Sequence, residues 1–142
     1  MKLQIILTTV LFANPVIAEG DAAAGKKSYR QCQSCHEIVA DDGTVIVRGG
    51  NTGPNLWGLP GRVAGTQSDF NKYKKSIISA GETGLVWDEE NFLGFVQDPT
   101  KFLRELTGDS KARSGMAVRV RREDDIADLW AYIVSVSPKQ KN

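Results

Sequence analysis

The residues best suited to chemistry lie together, in the order Cys32-Gln33-Ser34-Cys35-His36. The 142-residue chain has no other cysteine and no other histidine. Two cysteines separated by two residues, with a histidine directly after the second, are typical of covalent attachment of a c-type haem. The sulfurs would bond to the vinyl groups of the haem, and His36 would bind the iron from one side. The motif therefore predicts one haem c held by two thioether bonds.

A second axial ligand has to come from elsewhere in the chain, and a methionine thioether is one of the groups that can fill this position. Apart from Met1, the sequence has a single methionine, Met116, within a polar stretch that contains glycine. Its small neighbours suit a thioether that points at a metal better than a methionine that fills a core. We therefore predict that Met116 is the sixth iron ligand. The alternative is an open or weakly held sixth position, which would make the chain a gas-binding protein or a peroxidase-like haem enzyme.

Three other roles for the cysteine pair fit the sequence less well. A thioredoxin-like redox pair needs a strand–helix context, and no strand of that kind precedes Cys32. A zinc site needs four ligands, which two cysteines and one histidine packed this closely cannot supply in tetrahedral geometry. A disulfide, which an exported protein could form, leaves His36 and the long loops unexplained.

The first eighteen residues have the pattern of a cleaved secretory signal peptide. Lys2 precedes an apolar run from Leu3 to Ala13, and small residues follow at the expected cleavage site before Glu19. The run is too short to span a bilayer, so we expect a periplasmic protein with no stable membrane insertion. Residues 19–142 would form a single domain.

The charge of the predicted mature chain excludes one class of partner. Without Lys2, 17 basic and 17 acidic side chains remain, and no dense basic run with interleaved aromatic residues occurs. Nucleic acid is therefore not an expected partner.

The pattern of apolar residues predicts an all-α domain of about five helices with long loops. Helices are predicted from Asp21 to about Cys32, from Ser68 or Asp69 to Ala80, from Asp88 to Asp98, from Pro99 through Leu106, and from Glu123 to Val136. Gly81 and Pro138 would end the second and the last of these, and Thr44 to Arg48 could form a short ribbon. Loops this long in a small domain normally wrap around another group. The haem would be that group.

The chain resembles the class I cytochromes c, and among them the cytochrome c2 group of photosynthetic and respiratory bacteria. The resemblance covers nearly all of residues 19–136. It rests on these runs, which occur in the family's order: Gly25…Tyr29, Cys32-Gln33-Ser34-Cys35-His36, Thr52-Gly53-Pro54-Asn55-Leu56, Gly58…Gly61-Arg62, Trp87-Asp88, Val96-Gln97-Asp98-Pro99-Thr100-Lys101, Met116 and Leu129-Trp130-Ala131-Tyr132.

The resemblance implies roles for several residues around the haem. Pro54 would offer its backbone carbonyl to the second ring nitrogen of His36. The side chains of Arg62, Tyr73 and Trp87 would reach the haem propionates. Gly25 would let the first and last helices approach closely, with Tyr29 against Leu129 and Tyr132.

Two positions depart from the family pattern. Many relatives carry a tyrosine that contacts the methionine sulfur, where this chain has Phe95, and many place lysine directly before the methionine, where it has Gly115. Losing the tyrosine hydroxyl removes one hydrogen bond to the sulfur and makes the pocket drier. These two effects leave the direction of any change in reduction potential open.

The resemblance also implies the partners. A monomeric carrier would take one electron from a cytochrome bc1 complex and pass it to a photosynthetic reaction centre or a terminal oxidase. Basic side chains that could steer such encounters are Lys72, Lys74, Lys75, Lys101, Lys111, Arg113, Arg119, Arg121 and Arg122. Acidic side chains gather instead at residues 88–90 and 123–128, and a surface of mixed charge without steering is the alternative.

Overall fold

The computed structural model describes residues 19–138, so the predicted signal peptide lies outside the described residues. The elements are α1 (Ala22–Ser28), α2 (Arg30–Gln33), β1 (Ile38–Val39), β2 (Val45–Val47), α3 (Lys75–Glu82), α4 (Glu89–Gln97), α5 (Pro99–Thr107) and α6 (Glu123–Val136). The expected helical class is confirmed, although residues 19–138 contain six helices rather than about five.

The sixth helix arises because the predicted first helix is divided at Tyr29. Asp21 caps α1 as expected, since its carboxylate accepts hydrogen bonds from the backbone N–H groups of Ala23 and Ala24. After Tyr29, the Cys32 N–H donates to the Tyr29 carbonyl at 2.9 Å, three residues back. This tighter turn starts α2, which carries the first cysteine.

The predicted start and end of α3 are wrong. The helix begins at Lys75, six residues or more after the predicted cap, because the preceding segment packs its own aromatic rings instead of forming helix. Phe70 and Tyr73 lie edge to face with ring centroids 4.8 Å apart. At the other end the helix continues past Gly81 to Glu82, and Gly84 with a φ of 107° follows it. Gly81 is needed for a close approach, since a Cβ there would lie 2.0 Å from the Ala64 carbonyl oxygen.

Local capping signals place α4 and α5 where the sequence predicts them. Asp88 accepts a hydrogen bond from the Asn91 N–H and starts α4, and Asp98 does the same for Lys101 at the start of α5. Pro99 occupies the first position of α5, where its missing N–H costs nothing. The apolar spacing of Leu103 and Leu106 predicts that both side chains face inward; this is wrong for Leu106, which is 46% exposed, whereas Leu103 is fully buried.

Helices α1 and α6 cross at Gly25, as the resemblance implies. A Cβ at Gly25 would lie 1.9 Å from the Asp128 carbonyl oxygen. Next to the crossing, the Asp21 N–H donates to the Asp128 carboxylate at 2.6 Å. Tyr29 and Tyr132 meet edge to face with centroids 5.6 Å apart. The two ends of the described chain are thereby joined, and α6 has the bounds that the sequence predicts.

The predicted ribbon is confirmed as β2, which pairs in antiparallel fashion with β1, a strand that the sequence analysis did not anticipate. The core continues from the α1–α6 crossing through Ile38, Leu103, Ile126 and Ile133, all of which are buried. Within residues 19–138, none of the helices is both long and apolar enough to cross a bilayer.

Candidate haem site

A deep cleft opens between the cysteine motif and the loop that carries Met116. Its empty space is about 1010 Å³ when the open mouth is included. The residues that line it are Cys32, His36, Thr52, Gly53, Pro54, Leu56, Leu59, Arg62, Gly65, Phe70, Lys72, Tyr73, Lys74, Ile77, Trp87, Phe92, Phe95, Val96, Ser114, Gly115, Met116 and Ile133. The fold thus brings seven of the eight predicted site residues to one cavity, although they are spread over residues 32–116.

His36 is held in one tautomer by the loop opposite the motif. Its Nδ1 lies 2.7 Å from the Pro54 carbonyl oxygen, and because a carbonyl can only accept, Nδ1 must carry the proton. The Nε2 lone pair is therefore free to bind a metal. Burial lowers the pKa of His36, and the hydrogen bond to Pro54 opposes that shift. The lowered pKa favours the neutral imidazole that metal binding needs.

Gly53 makes the close approach of this loop to the imidazole feasible. A Cβ at this position would lie 2.3 Å from His36 Cε1, far inside van der Waals contact. Any larger residue would push either the ring or the Pro54 carbonyl out of place. In the sequence, Gly53 belongs to the run Thr52-Gly53-Pro54-Asn55-Leu56, and nothing along the chain indicates this role for it.

The two cysteines occupy different environments. Cys32 lines the cleft, and burial, with a smaller contribution from Cys35, raises the pKa of its thiol to about 11. Cys35 is the one predicted site residue that does not line the cleft. Hydrogen bonds with the side chains of Thr52 and Ser34 lower the pKa of its thiol. Both thiols are free, so no disulfide joins them.

The segment around Met116 is anchored on both sides. Before it, the Ser114 N–H donates to Thr100 Oγ1 at 3.2 Å, and Ser114 Oγ accepts from the Met116 N–H at 3.0 Å. After it, the Val120 N–H donates to the Val96 carbonyl at 3.0 Å. An ion pair of 3.3 Å between Arg119 and Asp98 lies beside that bond. These contacts hold Met116 at the wall of the cleft, and the sequence alone offered no signal for them.

Arg62, Tyr73 and Trp87 line one part of the cleft. Two of the Arg62 guanidinium nitrogens donate to the backbone carbonyls of Asn55 and Trp57. Burial lowers the pKa of Arg62, while Tyr73 beside it opposes the shift. The guanidinium is therefore fixed in direction and has further N–H groups to offer.

Asn55 is a functional residue that the sequence analysis did not single out beyond its motif. Its side-chain oxygen accepts from the backbone N–H groups of Val39 and Trp57, and its amide donates to the Val39 carbonyl at 2.7 Å. It fastens the Pro54 loop to β1 and so fixes the carbonyl that holds His36. A side chain that hydrogen-bonds to the backbone of a distant loop is hard to predict from sequence, because Val39 lies 16 residues away from Asn55 along the chain.

Phe95 stacks edge to face on Trp87, with centroids 5.1 Å apart, and both rings line the cleft. A phenyl ring here adds apolar surface and no hydrogen-bonding group. The wall of the cleft at Phe95 is therefore drier than a tyrosine would make it.

The cleft fits a haem in its chemistry. Its walls are mostly apolar, as is usual for cofactor pockets, and one thiol, a neutral imidazole and a thioether line it. Zinc fits poorly, since within residues 19–138 no three cysteine, histidine, aspartate or glutamate side chains come together as a metal site. Fold and site together define a class I cytochrome c.

Comparison with known proteins agrees with this assignment. Cytochrome c2 of Cereibacter sphaeroides is 52% identical over 127 residues, which cover 88% of each chain. Cytochrome c-551 of Roseobacter denitrificans is 50% identical over 135 residues, 95% of this chain and 94% of the relative. The solved structure of cytochrome c2 from Rhodobacter sphaeroides superposes with a TM-score of 0.83 at 51% identity, over 86% of this chain and all of that one. No protein-family model matches the chain.

The chain therefore belongs to the cytochrome c2 group. It is an electron carrier rather than an enzyme, and it carries haem c, attached covalently through its Cys-x-x-Cys-His motif. These findings confirm the predicted fold class, cofactor and kind of activity.

Proposed function

We propose that this chain is a periplasmic carrier of single electrons whose iron is bound by His36 and Met116. It would accept electrons from a cytochrome bc1 complex and deliver them to a photosynthetic reaction centre or a terminal oxidase. The observation that carries the proposal is that His36, with Nε2 free, and Met116 line the same cleft. If His36 and Met116 both bind the iron, no position on it would remain for a substrate.

The surrounding residues keep this arrangement rigid during electron transfer. When bound, haem c supplies an iron centre that can change its charge by one unit. Pro54 holds the imidazole proton, and the Ser114 and Val120 contacts hold the thioether in place, so little has to move when the charge changes. A thioether ligand and an apolar pocket both raise the reduction potential.

The haem propionates would be received by Arg62, Tyr73 and Trp87. Support comes from the fixed guanidinium of Arg62, which retains unused N–H donors beside the Tyr73 hydroxyl. Charge-assisted hydrogen bonds from these groups would offset the cost of burying carboxylates.

The mouth of the cleft is the proposed docking face. Lys72 and Lys74 line it, and Lys72 also donates to the Asn51 carbonyl at 3.1 Å. Three of the other bases that the sequence analysis named are engaged with neighbouring acids: Lys101 with Glu105, Arg119 with Asp98, and Arg122 with Asp125. Lys72 and Lys74 therefore place two positive charges, which form no ion pair within residues 19–138, next to the proposed haem edge.

The proposal includes the organisation of the whole chain. Residues 1–18 would be a signal peptide cleaved on export, and residues 19–142 would be one domain that works as a monomer. N-terminal sequencing of protein purified from the periplasm tests this, since an intact Met1 would contradict cleavage.

Exposure of the reduced haem protein to carbon monoxide separates a carrier from a gas-binding or peroxidase-like protein. We expect the visible spectrum to stay unchanged, because the bound thioether excludes the gas. The Met116→Ala variant is the positive control, since its open position should bind carbon monoxide at once. Rapid binding by the unaltered protein would overturn the proposed ligation.

The docking face should make electron transfer sensitive to salt. In the Lys72→Gln/Lys74→Gln variant, we expect the second-order rate constant with bc1 complex to fall about tenfold at low ionic strength, because steering by opposite charges is lost. At high ionic strength the variant and the unaltered protein should converge. Stopped-flow kinetics over a salt series measures both effects.

The matched control for this experiment is Lys101→Gln/Arg122→Gln, which removes two charges that already have acidic neighbours. Its rate constant should change little. Equal losses in the two variants, or rates that do not vary with salt, would contradict steering at the cleft mouth.

A further inference from the structure

A second cavity lies on a different face, between α1 and α2 on one side and β2 on the other. Its empty space is about 780 Å³ when the open mouth is included. Four basic side chains line it: Lys26 and Lys27 from α1, Arg30 from α2, and Arg48 directly after β2. None of them has a role in the haem site.

These four charges have no acidic partner. Within residues 19–138, none of the four forms an ion pair. Lys26 and Lys27 occupy the last turn of α1, where basic residues complement the helix dipole. That explanation does not extend to Arg48, which follows β2 and lies outside the helices.

The wall that carries Arg48 is held in position. The side-chain amide of Gln33 donates to the Arg48 carbonyl at 2.6 Å and links α2 to the residue after β2. This bond ties α2, which carries Arg30, to the residue after β2, so the fold brings both arginines to one opening.

The floor of the cavity offers an unused hydrogen-bond donor. Tyr29 and Tyr132 line it, and both are buried, with exposures of 2% and 4%. The Tyr29 hydroxyl donates to the His36 carbonyl, whereas within residues 19–138 the Tyr132 hydroxyl has no hydrogen-bond partner. Since no fully buried side-chain oxygen or nitrogen of the described residues lacks a partner, this hydroxyl is reached from the cavity. Burial raises the pKa of Tyr132, so the group remains a donor.

We infer that this cavity is a binding site for a small polyanion with adjacent phosphate groups. Arginine guanidinium groups bind phosphate through two parallel hydrogen bonds, and lysines add point charges. Two arginines, two lysines and a tyrosine hydroxyl at one opening can together meet several phosphate oxygens at once. Adjacent phosphate groups are found in inorganic polyphosphate and in the phosphate chain of a nucleotide. Of these two ligands, only a nucleotide has a base that could contact Ile46, which also lines the cavity.

The test is a titration of the haem-loaded protein with tripolyphosphate, and separately with ATP, at physiological ionic strength. Binding is followed by calorimetry and by two-dimensional NMR. We expect saturable binding with the largest shifts at the Gln33 side-chain amide and the Arg48 backbone. Equal affinities would indicate recognition of phosphate alone, and tighter binding of ATP would assign the site to nucleotides. Either result supports the site.

The variant Arg30→Gln/Arg48→Gln should weaken binding about tenfold or more, because two charge-assisted contacts are lost. Tyr132→Phe should weaken it several-fold while leaving the charge unchanged. The matched control, Lys111→Gln/Arg121→Gln, removes the same charge elsewhere and should bind as the unaltered protein does. Equal weakening in the control, shifts centred on Lys72 and Lys74, or the absence of saturable binding would each overturn the inference.

Discussion

Replacing Met116 with leucine is expected to abolish the six-coordinate, low-spin state of the iron and to lower its reduction potential. Leucine has nearly the volume of methionine, so packing should change by about 1 kcal/mol or less. What is lost is the thioether, which no other residue at the cleft can supply, because Met116 is the only methionine after Met1. Optical and electron paramagnetic resonance spectra of both redox states measure the change.

The control for this variant is Val118→Leu, an exposed position on the same segment. It tests whether disturbing the segment is enough to change the spectra, and we expect that it is not. Unaltered low-spin signatures in Met116→Leu would mean that another group holds the iron. The proposed ligation would then have to be abandoned.

Removing both sulfurs, in Cys32→Ala/Cys35→Ala, is expected to unfold most of the domain. Burial of a porphyrin between two apolar walls hides on the order of 400 Å² of apolar surface, which corresponds to roughly 10 kcal/mol at about 25 cal/mol per Å². That is similar to the entire stability of an ordinary domain. Without the cofactor, the apolar walls of the cleft would face water and the loops would have nothing to enclose. Far-UV circular dichroism should show a large loss of helix.

Ser34→Ala is the control, since it alters the motif between the two sulfurs and keeps both of them. It should retain the haem and melt sharply. A double-alanine chain with a native-like spectrum and a cooperative melt would show that the haem is not needed for folding.

Local signals explain which parts of the fold could be predicted from the sequence. Asp21, Asp88 and the Asp98-Pro99 pair act on N–H groups within three residues, and each was placed correctly. The bounds of α6 followed from its acidic first turn and its apolar stripe. The start of α3 was missed because its determinants are tertiary: Phe70 and Tyr73 are drawn into the cleft, and that competes with helix formation.

The candidate site divides in the same way. The cofactor follows from a five-residue motif, and the proposed iron ligands follow from that motif and one methionine, because few chemistries use that set. The parts that position them come from contacts between distant segments, such as Thr100 with Ser114 and Asn55 with Val39. No pattern along the chain predicts which distant residues form such pairs. The basic cavity beside β2 could not be predicted from the sequence for the same reason.

The crossing of α1 and α6 has a consequence for how the protein is made. Gly25 and Asp128 touch, so the helix that leads into the cysteine motif gains its packing partner only when the last fourteen-residue helix arrives. Contacts this distant along the chain form late. On the proposed export, the emerging polypeptide would therefore keep its thiols accessible until the whole chain has passed through. Closure of the two ends would then seal the cofactor inside, so the order of synthesis itself would favour attachment before folding.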